Sequence, residues 1–524
     1  MKNQGLWKQT TLSKIRSVLW PIYGRENKKL IPMGLLMICI LFMYTLFRDM
    51  KDSLIQYIAV GGGTPMLSAL KTWFVMPISL AAMAIFMKLS NKFSNAKMFY
   101  GVIIFYLSYF ALFGFVLFPN AEYLHGSPEI VASLREKFPH FYWIIPCVTN
   151  WSFSIFYLLS ELWAGLVIGF LFWQFANEIT KSTEAPRFYG MFGFLSNLGL
   201  IASGLLVDTI SKRAMAVGSS DVVAFGWSLK WQMGVNVVVG IITMAIYAWM
   251  QKQVIPDPKL VPLSCRTKME GKPKMGAWES IVYVVKNPYI MLIACLVLGY
   301  EIANTLNEHL VKTQFKAFES SCSSYNGSMG RLTVVTGLLT MVLMLIETNI
   351  LKRVKWRTAA LLPPIVMGGA FLAFFGFLLY QQRFGNTAVI WGIPVLNAVV
   401  LVGKYQLVSN KIMKYSLFDA TKNMACLPLD SESKLKGQAA VEIVGSRLGK
   451  AGGSAIIWFV TSVLPFGKYS SNPINMWIIS ITCFVALALW TKAIVKINPK
   501  VITKMKEKEK QEALNAPKND KYFP

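Results

Sequence analysis

Several ionisable residues stand where an apolar chain should have none, and their types suit the handling of an anion. The segment LFRDMKDSL carries Arg48, Lys51 and Asp52. At helical spacing Arg48 and Asp52 are four apart and can pair, which leaves Lys51 with charge to spare. Glu161, in SELWAG, has no cation near it in sequence, so its partner must be another helix, a solute or a proton. In YEIANTLNEHLVKTQFK, Glu301, Glu308 and Lys312 share nearly one helical stripe. His309 beside them is of the type that titrates near neutral pH. GSRLGKAGG brings Arg447 and Lys450 within a turn, among Gly445, Gly449, Gly452 and Gly453. Cations beside small residues suit a phosphate group or a close helix contact. A P-loop is excluded, because three residues instead of four separate its glycines and Ala451 stands where Ser or Thr would ligate magnesium. Lys404 falls in a later apolar run roughly where Glu161 falls in an earlier one, and Lys422 lies between Asp419 and Asp430.

Such residues need elements to hold them, and composition says which. Of 524 residues, 54% are apolar and 15% charged, with mean hydropathy +0.46. A soluble domain carries about a quarter charged residues, so the chain reads as an all-α integral membrane protein. The 53 Lys and Arg against 26 acids leave a net charge of +27, which implies anionic partners such as lipid headgroups or a phosphate-bearing solute. A soluble nucleic-acid binder and a disordered chain are both excluded by the long uncharged runs. The seven Cys form no CxxC pair, so no metal, disulfide scaffold or cofactor is expected.

Windows of ~20 apolar residues fall at 30–47, 68–87, 98–118, 157–177, 188–207, 232–250, 288–307, 332–351, 358–380, 388–410, 439–464 and 476–495. Twelve transmembrane helices in two six-helix halves are therefore expected, a major-facilitator-like layout. Phe141 to Ser154 reads as an interfacial or re-entrant helix ahead of the fourth span. Lys and Arg concentrate in loops that would all be cytoplasmic if both termini are. The expected units are a basic N-terminus over 1–29, a first half over 30–250, a basic central loop over 251–287, a second half over 288–497 and a Lys-rich tail over 498–524, frayed or disordered. No cleavable leader is expected before the first span.

LFRDMKDSL, SELWAG, FANEITKSTEAPRFYGMFG and SLFDATKNMACLPLDSESKLKGQAAVEIVGSRLGKAGG together resemble the bacterial and plastid type of nucleotide transporter, the ADP,ATP carriers of obligate intracellular bacteria, over about residues 20–496. The resemblance implies a twelve-helix carrier exchanging ATP for ADP in the bacterial inner membrane, or in a plastid inner envelope. Four charged positions that the family uses in transport fall by motif on Lys51, Glu161, Glu308 and Lys422. Met50 stands where exchangers usually have Thr, and Asn423 where they have Glu. These departures, with the extra Glu301 and His309, bring in a second reading, a proton-coupled importer of several nucleoside triphosphates, with GTP, CTP and UTP as further solutes.

The expected phosphate donors are Arg447, Lys450 and Lys51, helped by Arg48 and by Lys404 or Lys422 in one state of the cycle. Glu161 and Glu308 would hold the lysines while the cavity is empty. Trp151, Trp163 and Trp173 are candidates for stacking on a base, with plain packing the simpler role. A membrane enzyme acting on a phosphorylated substrate is the remote alternative, without a metal cluster or nucleophile motif to support it. The bilayer is the only other partner expected, with no nucleic acid and no obligate protein.

Overall fold

Long uncharged runs in a bilayer must satisfy their own backbone polar groups, and helices do so within each segment. The computed structural model describes residues 24–515 except 182–183, 218–219, 259, 262–276, 427, 430–440 and 465–472. Its first half contains α1 (Asn27–Ile58), α2 (Thr64–Ser90), α3 (Asn95–Leu117), α4 (Trp151–Ile179), α5 (Arg187–Val217) and α6 (Asp221–Gln253). The second contains α7 (Pro288–Phe318), α8 (Cys322–Glu347), α9 (Trp356–Phe384), α10 (Val395–Met413), α11 (Leu448–Trp458) and α12 (Ile474–Glu507). Among the described residues, ten of these are long and apolar enough to cross a membrane; α10 and α11 occupy the tenth and eleventh expected spans.

Several helices contain wide turns, in which the backbone bond runs from i to i+5. They lie at Leu54–Ile58, Leu70–Val75, Phe113–Leu117, Ala164–Phe172, Lys414–Phe418, Glu442–Arg447 and Phe459–Val463. Such turns gather at functional sites because the surplus residue re-aims the side chains that follow.

One expectation is corrected and two are sharpened. The interfacial helix expected over Phe141 to Ser154 is instead a turn at Pro139–Phe141 and a short helix, Ile145–Thr149, with α4 starting at Trp151. The break falls at Asn150, whose amide donates to the carbonyls of Val60 and Pro146, at 2.9 Å each, and accepts from the Val60 N–H. The tail after Asn498 continues as helix past Pro499 to Asn515. Lys29, at the end of the expected basic N-terminus, is buried in an ion pair with Glu184 and donates to the Ile179 carbonyl. Residues 1–23, much of the central loop and 516–524 lie outside the described residues.

Each half has its own apolar core. Phe47 stacks on Phe110 and meets Trp163 edge-on in the first, with ring centroids 3.8 and 5.2 Å apart. Tyr300 packs between Phe418 and Trp490 in the second. Between halves the backbones of α5 and α8 approach closely: a Cβ on Gly204 would lie 2.6 Å from the Gly330 carbonyl, and one on Gly330 would lie 2.8 Å from that of Gly204. In a membrane this close fit replaces the hydrophobic drive that lipid cannot supply.

Candidate functional site

α1 runs unbroken through its charges and so carries adjacent residues, Lys51 and Asp52, about 100° apart around its axis. One therefore faces α4 and the other α7. Lys51 Nζ lies 2.8 Å from Glu161 Oε1 and 2.7 Å from Asp52 Oδ1. Lys312 Nζ lies 2.6 Å from Asp52 Oδ2 and 2.6 Å from Glu308 Oε1. Five ionised side chains thus form a row of alternating sign, Glu161, Lys51, Asp52, Lys312 and Glu308, which crosses from one half to the other at Asp52. Tyr157, one turn before Glu161, accepts a 3.4 Å bond from Lys51, whose Nζ stands 4.4 Å from the ring centroid. Isolated charges at this depth are expensive; the alternation gives each a partner.

The row lies in the wall of a cavity of about 1300 Å³ between the halves. The cavity runs from the α1–α2 turn, at Gly62 and Gly63, to Ser90, Asn95 and Asn177 at the other ends of their helices. Near the α1–α2 turn the halves close on each other. Trp458 packs edge-on against Trp73 and Trp143, at 5.1 and 5.2 Å between ring centroids. The Tyr142 hydroxyl donates to the Thr461 carbonyl at 2.6 Å, Lys316 to that of Gln56 at 2.7 Å, and Arg331 meets Asp208 at 2.7 Å.

A second group forms where α7 meets α11. Glu301, almost fully buried, pairs with Lys414 at 3.2 Å and accepts from the Ser446 hydroxyl at 3.4 Å. Gly445, Gly449 and Gly453 let α11 lie against α7: added Cβ atoms would stand 2.7 Å from the Val297 Cβ, 2.8 Å from that of Glu301 and 2.8 Å from that of Thr305. The small residues therefore serve helix contact, and through it they bring Arg447 and Lys450 to the cavity wall. GSRLGK is helical throughout, and a Cβ on Gly165 of α4 would overlap the Arg447 guanidinium.

The structure brings together Arg48, Lys51, Glu161, Glu301, Glu308, His309, Arg447 and Lys450 around one cavity. Arg48 does not take Asp52, which the two lysines hold; it pairs with Asp49 at 2.9 Å and donates to Thr333 of α8. Lys404 and Lys422 do not line the cavity. Lys404 lies over the rings of Phe315 and Phe318, at 5.4 and 5.7 Å, and Lys422 pairs with Asp419 on the short helix Asp419–Cys426. Glu161 consequently has Lys51 as its partner and not Lys404. Of the three tryptophans only Trp173 lines the cavity, whereas Trp163 is buried and Trp151 donates to the Leu124 carbonyl.

Sequence reasoning missed Lys71, Lys411 and Lys414. The first two line the cavity, and no carboxylate lies within 4 Å of either, or of Lys450, among the described residues. Lys71 could have been found, since it sits inside an apolar window by the criterion that singles out Glu161 and Lys404. A polyanion entering this cavity would meet cations already in place, with lysines that can exchange a carboxylate for a phosphate.

The model of the TLC ATP/ADP transporter family matches residues 7–501. The chain is 37% identical over 490 residues to ADP,ATP carrier protein 1 of Rickettsia bellii, covering 93% of this chain and 96% of that one. It is 36% identical over 504 residues to ADP,ATP carrier protein 1 of Chlamydia pneumoniae, covering 95% and 96%. In fold it is similar to the inward-open xylose transporter XylE from E. coli, with TM-score 0.54 at 11% identity over 89% of this chain and 95% of that one. The nucleoside transporter NupG gives 0.51 at 12% over 92% and 100%.

Proposed function

Since the chain belongs to the TLC ATP/ADP transporter family, we propose that this multi-pass membrane transporter, which is not an enzyme, carries ATP in exchange for ADP by alternating access of its central cavity. The observation that carries the reading is the alternating row from Glu161 to Glu308, set beside Lys71, Lys411 and Lys450, which have no carboxylate within 4 Å among the described residues, in a cavity roomy enough for a nucleotide and its water. In the empty state Lys51 and Lys312 are neutralised by Glu161, Asp52 and Glu308. Phosphates entering the cavity take donors from Lys51, Arg447 and Lys450, with Arg48 at the edge. Glu161 and Glu308, released in turn, meet the base or ribose or take new cations. Lys404 and Lys422 act only in another state of the cycle. An empty cavity that tries to reorient must part Asp52 from Lys312 with nothing to replace the contact, which is a physical basis for obligate exchange.

The carrier sits in a bacterial inner membrane with both termini cytoplasmic. The halves 30–250 and 288–497 rock against each other, joined by the basic loop 251–287. In that orientation the end sealed by Trp73, Trp143 and Trp458 faces outward and the cavity opens to the cytoplasm. GTP, CTP and UTP belong to the second reading, the proton-coupled importer that Met50 and Asn423 bring in.

The test is uptake of labelled ATP, GTP, CTP and UTP into intact cells expressing the protein, with and without preloaded ADP and an uncoupler. Uptake of ATP that requires internal ADP and ignores the uncoupler is the expected result. Uptake of several triphosphates that collapses with the uncoupler would favour the proton-coupled reading, with Glu301 and His309, both on the cavity wall, as the residues to test next.

A further inference from the structure

Charge around the cavity is unequal, and this inequality together with the pairing of its carboxylates selects the ionic form of the solute. The described lining holds eight cationic side chains, lysines and arginines, against five carboxylates, an excess of three. The carboxylates are all engaged. Asp49 is held by Arg48, Asp52 by Lys51 and Lys312, Glu161 by Lys51, Glu308 by Lys312 and Glu301 by Lys414. Lys71, Lys411 and Lys450, by contrast, have no carboxylate within 4 Å among the described residues.

A free nucleoside diphosphate carries about three negative charges near neutral pH and a triphosphate about four. A bound magnesium ion removes two of them. It also demands near-octahedral oxygen ligands, usually one or two carboxylates with the phosphates, and it gives up water reluctantly. Here every carboxylate it could use already holds a lysine or arginine, so the ion would have to break a buried pair while lysines repelled it.

We infer that the cavity carries its nucleotide free of metal, with the phosphates held by Lys71 and Lys411 in addition to Lys450. The inference rests on the nucleotide reading above and adds the form of the solute and two ligands to it. The three lysines stand on α2, α10 and α11 and so reach the solute from both halves. Phosphate oxygens replace the missing carboxylates: free diphosphate brings the lining near neutrality where its magnesium complex would leave two positive charges uncompensated, and for the triphosphate it is the engagement of every carboxylate that excludes the ion. Magnesium ions are then stripped before entry and remain on the side where the nucleotide began.

The experiment uses the purified full-length protein in proteoliposomes preloaded with ADP. Uptake of labelled ATP is measured as magnesium is raised at constant total ATP, and a magnesium-sensitive dye is trapped inside. The expected result is a rate that follows free ATP, falling at least about tenfold when nearly all ATP is complexed, with no dye signal. A rate indifferent to magnesium or rising with it, or a dye signal that tracks uptake, overturns the inference. Uptake of neither ATP nor ADP at any magnesium level would overturn the nucleotide reading itself. As a second measurement, Lys71→Gln and Lys411→Gln should each raise the KM for ATP about tenfold or more, the loss of one charge-assisted contact, at wild-type levels in the membrane. Unchanged KM values in both variants would remove these lysines from the phosphate site.

Discussion

Lys51 neutralises two carboxylates at once, and its loss would strand Glu161 without its pair while leaving Asp52 to Lys312. Removing one member of a buried pair costs about 3–5 kcal/mol. Lys51→Ala, which also removes a phosphate donor, should abolish ATP uptake while the protein still reaches the membrane on an immunoblot. A second residue gives a pH dependence. His125, in the loop between α3 and α4, lies 2.8 Å from the Ser152 hydroxyl and edge-on to Phe153, and burial pushes it down to about 4. The unfolded chain takes up that proton near its ordinary value of about 6.5, so folding stability falls as pH drops from 6.5 toward 4 and flattens below. Melting temperatures in detergent should show this acid loss, and His125→Gln should flatten it. Residues of the site were legible where pairing is local, as in Glu308 with Lys312. Lys51 with Glu161 was not legible, since distant partners are chosen by packing.

At the scale of helices, hydropathy located the ten described helices that are long and apolar enough to cross a membrane, because a bilayer permits little else. The break at Asn150 and the wide turns escaped, since they depend on tertiary partners and leave no mark in composition. The GSRLGKAGG glycines were readable as small but not as to purpose. Their purpose predicts that Gly449→Val, which drives a branched side chain into Glu301 and the Leu298 carbonyl, lifts α11 from α7. The expected cost is about 1–3 kcal/mol, seen as a lower melting temperature together with a raised KM for ATP. Gly330→Val, at the α5–α8 crossing, should lower stability similarly by blocking the approach of the halves, and transport with it. A variant that melts and transports like the parent would show that the crossing tolerates a wider separation.

For the molecule as a whole, the sealed end supplies a test of movement. Replacing Trp143 and Trp458, whose rings span the closed end, by Cys and joining the pair with a bifunctional thiol reagent that a reductant cleaves should stop uptake and the reductant should restore it, while each single variant stays active under the reagent. The two-half layout was evident from the twelve apolar windows, but the sequence held no sign of which end is shut, a property of one state in a cycle. Opening that end has a further effect on the row of five charges. Within the row, only the link from Asp52 to Lys312 joins the halves, so on separation Glu161, Lys51 and Asp52 stay together, as do Lys312 and Glu308. One lip of the mouth then carries a negative charge from its share of the row, and the other is balanced. With Arg48, Lys71 and Asp49 counted, the first half's lining is balanced while the second half's carries the positive excess, so an arriving polyanion makes landfall on the α7 side.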